Sequence, residues 1–145
     1  MNFEDFNKKY AEQALVKGAC TKEQIEEYMA LVDESKNITL ERLLVSQGVL
    51  SPISAIMITS KILEIPFVDL SVMNIDILAA NKTDKETCLK YHCLPIGKLW
   101  GSDVIVTDCL LDDKAYELKK IFGENIEFNL ALRDEIRKRI DELYF

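Results

Sequence analysis

One histidine and three cysteines in the second half of the sequence carry the side chains best suited to bind a soft metal ion. Cys88 and His92 are four residues apart, as on one face of a helix, and Cys93 and Cys109 follow. The spacing contains no CxxC pair and matches no zinc-binding pattern. We therefore predict that these cysteines and Cys20 are reduced, mostly buried thiols, and that the chain uses neither a metal ion nor another cofactor.

Two kinds of catalytic chemistry find no support in the sequence. The phosphate-binding loop of nucleotide hydrolases requires glycine, four spacers, and then glycine, lysine and serine or threonine. The one Gly-Lys pair, Gly97-Lys98, is followed by Leu99 and has His92 where the first glycine belongs. Carboxylates are abundant, but none is matched with a histidine or a nucleophile in a recognisable catalytic arrangement. We predict that the chain is not an enzyme.

The composition is that of a folded chain, whose helices and strands must position these residues. The sequence has 145 residues, of which 48% are hydrophobic and 30% charged. The net charge of −7 has the wrong sign for neutralising phosphates, so we predict no nucleic-acid partner. The first ten residues lack the apolar run of a signal peptide. The apolar stretch over 53–63 is too short to cross a bilayer. We expect a cytoplasmic protein without direct membrane insertion.

Helical periodicity dominates the first half of the chain. Thr21 opens a capping box, and the apolar spacing that follows predicts a helix over about 21–34. A second helix is predicted from near Thr39 to Gly48, because glycine suits the left-handed position after a helix. Ser51 is expected to cap a third helix, whose first residue is a proline.

Pro66 marks a change of pattern. Proline disfavours helix at its own position and at the preceding residue, so the segment that follows is expected to be extended. We place the boundary between two domains here. The predictions are a helical lobe over 1–64, built of two helix-glycine-helix repeats, and an α/β lobe over 65–145.

Helical and alternating patterns follow one another in the second lobe, which is typical of an α/β layer. The predicted fold class is therefore α+β or α/β, with a small helical N-terminal lobe packed beside an α/β lobe that has a small mixed sheet. The predicted elements are a helix capped by Thr83, a hairpin over about 93–106 with its turn at Gly101-Ser102, a helix capped by Asp112 or Asp113 and ended by Gly123, a strand over 126–130 and a terminal helix over 132–143.

The first lobe contains an internal repeat. Residues 14–21 and 43–51 share a Leu-Val pair, a glycine and a serine or threonine. The two copies align when one residue of the second copy is skipped before its glycine. Two helical hairpins with a common turn chemistry would account for it. Together with 65–70, 91–96 and 104–108, the repeat resembles the N-terminal domain of type II secretion and type IV pilus assembly ATPases.

This resemblance runs from about residue 9 to the end and implies a non-catalytic docking domain. The implied partner is the cytoplasmic part of an inner-membrane platform or assembly protein, through which the chain would be recruited to the membrane. Candidate contacts are Ile53, Met57 and Ile58, if that face is exposed, although we favour a core helix there. Trp100 at the hairpin tip is a further candidate, with partial burial over the sheet as the more common outcome.

One branch of the family binds cyclic di-GMP through two tandem motifs that begin with arginine-leucine-glycine and end with glutamine. The present chain departs from both copies, and the negative charge of Glu41 would approach an anionic ligand. We therefore predict that cyclic di-GMP is not its ligand, and keep a regulatory domain with a degenerate motif as the alternative. The positions concerned in the second copy are Thr39, Leu40, Glu41, Gly48 and Ile62.

Overall fold

The computed structural model describes residues 1–144, so Phe145, the last residue of the predicted second lobe, lies outside the described part. The described chain divides into two compact units, Met1–Glu64 and a second unit that begins at Ile65. The predicted fold class is confirmed, because helices are followed by a mixture of helices and a small mixed sheet.

The first unit is built from four helices around a core to which α1 contributes a continuous stripe. Phe6, Tyr10 and Ala14 of α1 are fully buried, and their spacing of four places them on one face. This helix contacts both α3 and α4. The helices are α1 (Phe3–Val16), α2 (Lys22–Met29), α3 (Leu40–Ser46) and α4 (Pro52–Leu63).

The helix ends in the two repeats have the same backbone cap. Gly18 and Gly48 follow α1 and α3 with φ of +66° and +73°, a conformation that glycine adopts without strain. The amide after each glycine donates to the carbonyl five residues before it, at 3.0 Å for Ala19 and 2.9 Å for Val49. The repeated residues thus encode one capping arrangement that is used twice.

Helix α2 is shorter than predicted. The prediction placed its end near residue 34, whereas it ends at Met29. Beyond it, the Asp33 carboxylate accepts bonds from the Ser35 amide at 3.0 Å and the Ser35 hydroxyl at 2.6 Å. Asp33 also forms a backbone bridge with Ile38. Such side-chain bonds to the local backbone compete with helix continuation.

The start of α2 is the predicted capping box. The Thr21 hydroxyl accepts a bond from the Gln24 amide at 3.1 Å, and the Gln24 side chain accepts one from the Thr21 amide at 2.9 Å. We expect Thr21→Ala to lower the free energy of unfolding by about 1 kcal/mol in urea denaturation, because the Gln24 amide loses the hydroxyl that accepts its hydrogen bond. Thr21→Ser keeps the hydroxyl and serves as the control. Equal losses in both variants would contradict the capping role.

The second unit is organised around a three-stranded sheet in the order β1-β2-β3, with β1 antiparallel and β3 parallel to β2. One buried cluster joins Val104 and Val106 to Ile136 of α8, and another joins Ile105 to Leu118 of α7. Because side chains alternate along a strand, α7 and α8 cover opposite faces. The elements are α5 (Ile77–Ala80), α6 (Lys85–Tyr91), β1 (Cys93–Leu99), β2 (Ser102–Thr107), α7 (Asp112–Phe122), β3 (Ile126–Leu130) and α8 (Arg133–Leu143).

Two predicted caps in this unit are wrong by one residue. Asp84, and not Thr83, caps α6, and its carboxylate accepts a bond from the Thr87 amide at 2.8 Å. Leu111 occupies the N-cap position of α7 without a side-chain bond, while Asp112 lies in the first turn, where a carboxylate favours the helix dipole. Thr83 and Asp84 are both good capping residues, so the sequence did not distinguish them, whereas the cap of α7 is a leucine that no capping preference predicts.

The segment after Pro66, predicted to be extended, pairs with the sheet at one residue only. Phe67 forms an isolated parallel bridge with Leu130, and the Val68 amide donates to the Leu130 carbonyl at 2.8 Å. The proline itself has no amide hydrogen, so it cannot extend this ladder toward the start of β3.

Candidate functional site

The predicted contact residues on α4 are divided between its two faces. Ile53 and Met57 are 50% and 46% exposed, and Lys61, four residues further, is exposed as well. Ile58 is only 1% exposed, so its prediction as a contact residue is wrong. One residue step turns a helix by about 100°, which carries Ile58 from the Met57 face into the core beside Thr59.

The tip of the β1–β2 hairpin carries the most exposed aromatic side chain of the described residues. Trp100 is 92% exposed, so the expectation of partial burial over the sheet is wrong. Leu99 pairs with Ser102, which leaves Trp100 and Gly101 as a two-residue turn. Both have positive φ, +53° and +83°, which is the sign pattern of a type I′ turn.

A neighbouring loop holds this turn in place through Asn125. Its side-chain amide donates to the Gly101 carbonyl at 3.2 Å, and its side-chain oxygen accepts a bond from the Ser102 hydroxyl at 2.9 Å. The Asp103 amide donates to the Asn125 backbone carbonyl at 3.3 Å. Sequence reasoning missed Asn125, because it lies more than twenty residues from the turn and belongs to no motif.

Two of the degenerate nucleotide-motif positions have structural roles. Thr39 is buried and caps α3 by accepting a bond from the Arg42 amide at 3.2 Å. Leu40 is fully buried, and its amide donates at 3.0 Å to the side-chain oxygen of Asn7, a residue that sequence reasoning missed. Glu41 is half-buried at the same helix start.

The other two positions lie at different places in the same unit. Gly48 is exposed at the cap that follows α3, and Ile62 is half-buried near the end of α4. The structure thus gives Gly48 a conformational role that requires no ligand, since its φ of +73° ends the helix.

His92 ends α6 in a left-handed conformation, and the nearby cysteines are parts of the fold. Cys88 and Cys93 are fully buried, and Cys109 is half-buried. The hydrogen bond with Cys88 and burial raise the pKa of the Cys93 thiol, so it stays protonated at neutral pH. Over residues 1–144, no group of three or more His, Cys, Asp or Glu side chains is arranged to hold a metal ion.

Asp108, directly after β2, is a buried carboxylate between two cations. Its Oδ1 lies 2.9 Å from Nζ of Lys114 on α7, and its Oδ2 accepts a bond from Nε of Arg133 on α8 at 2.7 Å. Burial alone would raise the pKa of Asp108, but the two cations hold it well below its ordinary value. The carboxylate therefore stays ionised and links three elements of the second unit.

The sequence of the second unit matches the model of a known protein family. The model of the MshEN domain matches residues 63–144, which is more than half of the sequence. The chain belongs to the MshEN domain family. The resemblance to N-terminal domains of type II secretion and type IV pilus ATPases is thereby confirmed. Thr39, Leu40 and Glu41 lie outside the matched residues of this MshEN-family chain.

Solved structures with the same fold extend the likeness over both units. "Structure of MshE with cdg" matches with a TM-score of 0.80 and 20% identity, over 93% of this chain and 98% of that one. The N-terminal domain of XpsE matches with a TM-score of 0.72 and 18% identity, over 97% and 96%. A second crystal form of that domain gives 0.60 and 20%, over 92% and 93%. At these identities the likeness establishes the fold of the MshEN-family chain.

Two further searches, one for curated relatives and one for membrane-spanning helices in the described residues, found nothing. No curated protein matches the sequence of this MshEN-family chain. Among residues 1–144, no helix has both the length and the apolar character needed to cross a membrane.

Proposed function

We propose that this MshEN-family chain is a docking domain, which binds a protein partner of a type II secretion or type IV pilus system and performs no chemistry itself. The observation that carries the proposal is the exposed pair Ile53 and Met57 on α4. The fold shared with MshE and with the N-terminal domain of XpsE supports a role in such a system. The proposed partner is the cytoplasmic part of an inner-membrane platform or assembly protein.

The exposed pair has the spacing of a helix that binds in a groove. Residues four apart lie one above the other on a helix, so Ile53 and Met57 form one apolar contact with Lys61 at its edge. The helix behind them is fixed, because the Tyr10 hydroxyl donates to the Ala55 carbonyl at 2.8 Å. A fixed helix loses little conformational entropy when a partner covers it.

A charge placed in this contact tests the proposal. We expect Met57→Asp to weaken binding to the purified cytoplasmic domain of the assembly protein by at least about tenfold, since a carboxylate would be buried without a partner. Calorimetric titration measures the affinity, and circular dichroism verifies that the variant is folded.

The matched control is Leu31→Asp, which introduces the same charge at another exposed apolar residue of the same unit. We expect this variant to bind like the wild type. Equal weakening by both variants, or no effect of Met57→Asp, would contradict docking through α4.

A second candidate function is regulation by cyclic di-GMP, favoured by the likeness to the MshE structure that carries cdg. The missing motif arginines argue against it, but Arg42 lies in the first turn of α3, with its Nη1 donating to the Asn37 carbonyl at 3.1 Å. If the nucleotide binds, a guanidinium is the group expected to pair with its phosphate. Saturable binding that is lost in Arg42→Ala would support this function in place of docking.

A further inference from the structure

We propose that the β1–β2 turn is a second, rigid anchor, in which the Trp100 side chain inserts into an apolar pocket with an uncharged rim on a protein partner. The inference rests on the proposed docking function and deepens it, because it adds a contact on the second unit and states the chemistry that fits it.

The backbone of Trp100 has an unfavourable conformation. Its φ of +53° is uncommon for a bulky residue, and two-residue turns with two positive φ values favour asparagine or glycine at this position. The side chain is 92% exposed, so packing within the unit does not offset the strain. A strained residue whose side chain contributes little to the fold is a candidate for function.

The turn is also pre-organised for binding. Asn125 holds the Gly101 carbonyl and the Ser102 hydroxyl at 3.2 and 2.9 Å, and Leu99 pairs with Ser102 in the sheet, so the turn is held before a partner arrives. Leu99, next to Trp100, is exposed as well and enlarges the apolar contact. Tryptophan side chains that fill pockets are frequent energetic centres of protein interfaces.

The charge of the tip favours a protein over a lipid surface. Anionic bilayers attract clusters of lysine and arginine, whereas this chain carries a net charge of −7. Lys82, near the tip, is neutralised by Asp103 at 2.7 Å, which leaves Lys98 beside the turn and the exposed Glu124 beside Asn125. The charges named at the tip therefore cancel, so the tip has no net attraction to anionic lipid and is matched by a pocket rim without net charge.

The test uses the fact that Trp100 is the single tryptophan of the chain. The chain is labelled with 5-fluorotryptophan and titrated with the unlabelled cytoplasmic domain of the assembly protein, and fluorine NMR follows position 100. We expect the signal to shift or broaden on binding. Trp100→Asn is expected to weaken binding by at least about tenfold, while Tyr116→Ala, an exposed aromatic on α7, binds like the wild type.

A stability measurement separates an anchor from a structural residue. Trp100→Asn creates the Asn-Gly pair that the turn prefers, so its melting temperature is expected to rise by a few degrees. A lower melting temperature would overturn the inference, because it would give Trp100 a folding role.

The remaining outcomes also decide between the alternatives. If the chain binds the protein domain with an unchanged fluorine signal, and Trp100→Asn binds with full affinity, then Trp100 is not an anchor. Weaker binding by Met57→Asp would in that case still support the proposed docking function. If the fluorine signal responds to vesicles of phosphatidylglycerol and not to the protein domain, the inference that Trp100 binds a protein pocket is wrong. Absence of binding by the wild type would overturn the proposed function and this inference together.

Discussion

Replacing Asp108 by alanine is expected to lower the free energy of unfolding by about 3 kcal/mol in urea denaturation. The substitution leaves the Lys114 ammonium and the Arg133 guanidinium, both partly buried, without the carboxylate that compensates them. It also removes the link between β2, α7 and α8. The control is Asp141→Ala, which breaks a solvent-exposed pair with Lys85 and is expected to cost less than about 0.5 kcal/mol.

The contribution of Asp108 depends on pH in a direction that its pKa fixes. Because the pKa is lower in the folded chain than in the unfolded one, the stabilisation is fully present above the unfolded value of about 4. It is lost as the pH falls from there through the folded pKa. The stability difference between wild type and Asp108→Asn should therefore be constant near neutral pH and shrink below about pH 4. A difference that shrinks near neutral pH would contradict the assignment.

Tyr10→Ala is expected to be the most destabilising substitution in the first unit, at about 4 kcal/mol. The side chain is fully buried, its ring lies 5.6 Å from that of Phe6, and its hydroxyl donates to the Ala55 carbonyl. Tyr10→Phe removes only the hydroxyl and should cost about 1 kcal/mol, because the Thr59 hydroxyl still donates to the same carbonyl at 3.3 Å. Similar losses in both variants would contradict the packing role of the ring.

The helix starts of the first unit and the strands of the second were the features most predictable from the sequence. The caps at Thr21 and Ser51 were predicted correctly, because each hydroxyl residue precedes an apolar periodic segment, and the start of α3 near Thr39 was predicted as well. The strand over 126–130 was predicted correctly from its alternation, and the hairpin was predicted with its turn one residue too late, at Gly101-Ser102, because Ser102 already pairs with Leu99. The length of α2 was not, since the turn at Asp33 depends on side-chain bonds that a periodic pattern does not contain.

The candidate surfaces were less predictable, for two physical reasons. Helix α4 is apolar almost throughout, so its sequence does not show that Ile53 and Met57 face outward while Ile58 faces the core. Trp100 is exposed because a two-residue turn with positive φ directs it away from the sheet, and side-chain type alone favoured burial.

The contacts of Asp108 with Lys114 and Arg133 were also beyond sequence reasoning. The partners lie six and twenty-five residues further along the chain. They meet Asp108 only when α7 and α8 have packed on the sheet, so no local pattern links the three residues.

The central claim, that this chain recognises a protein and not a nucleotide, is tested most directly by two calorimetric titrations of the wild-type chain. One uses the cytoplasmic domain of the inner-membrane assembly protein, and the other uses cyclic di-GMP. We expect saturable binding of the protein domain and no heat with the nucleotide. Saturable binding of cyclic di-GMP, with none of the protein domain, would contradict the claim.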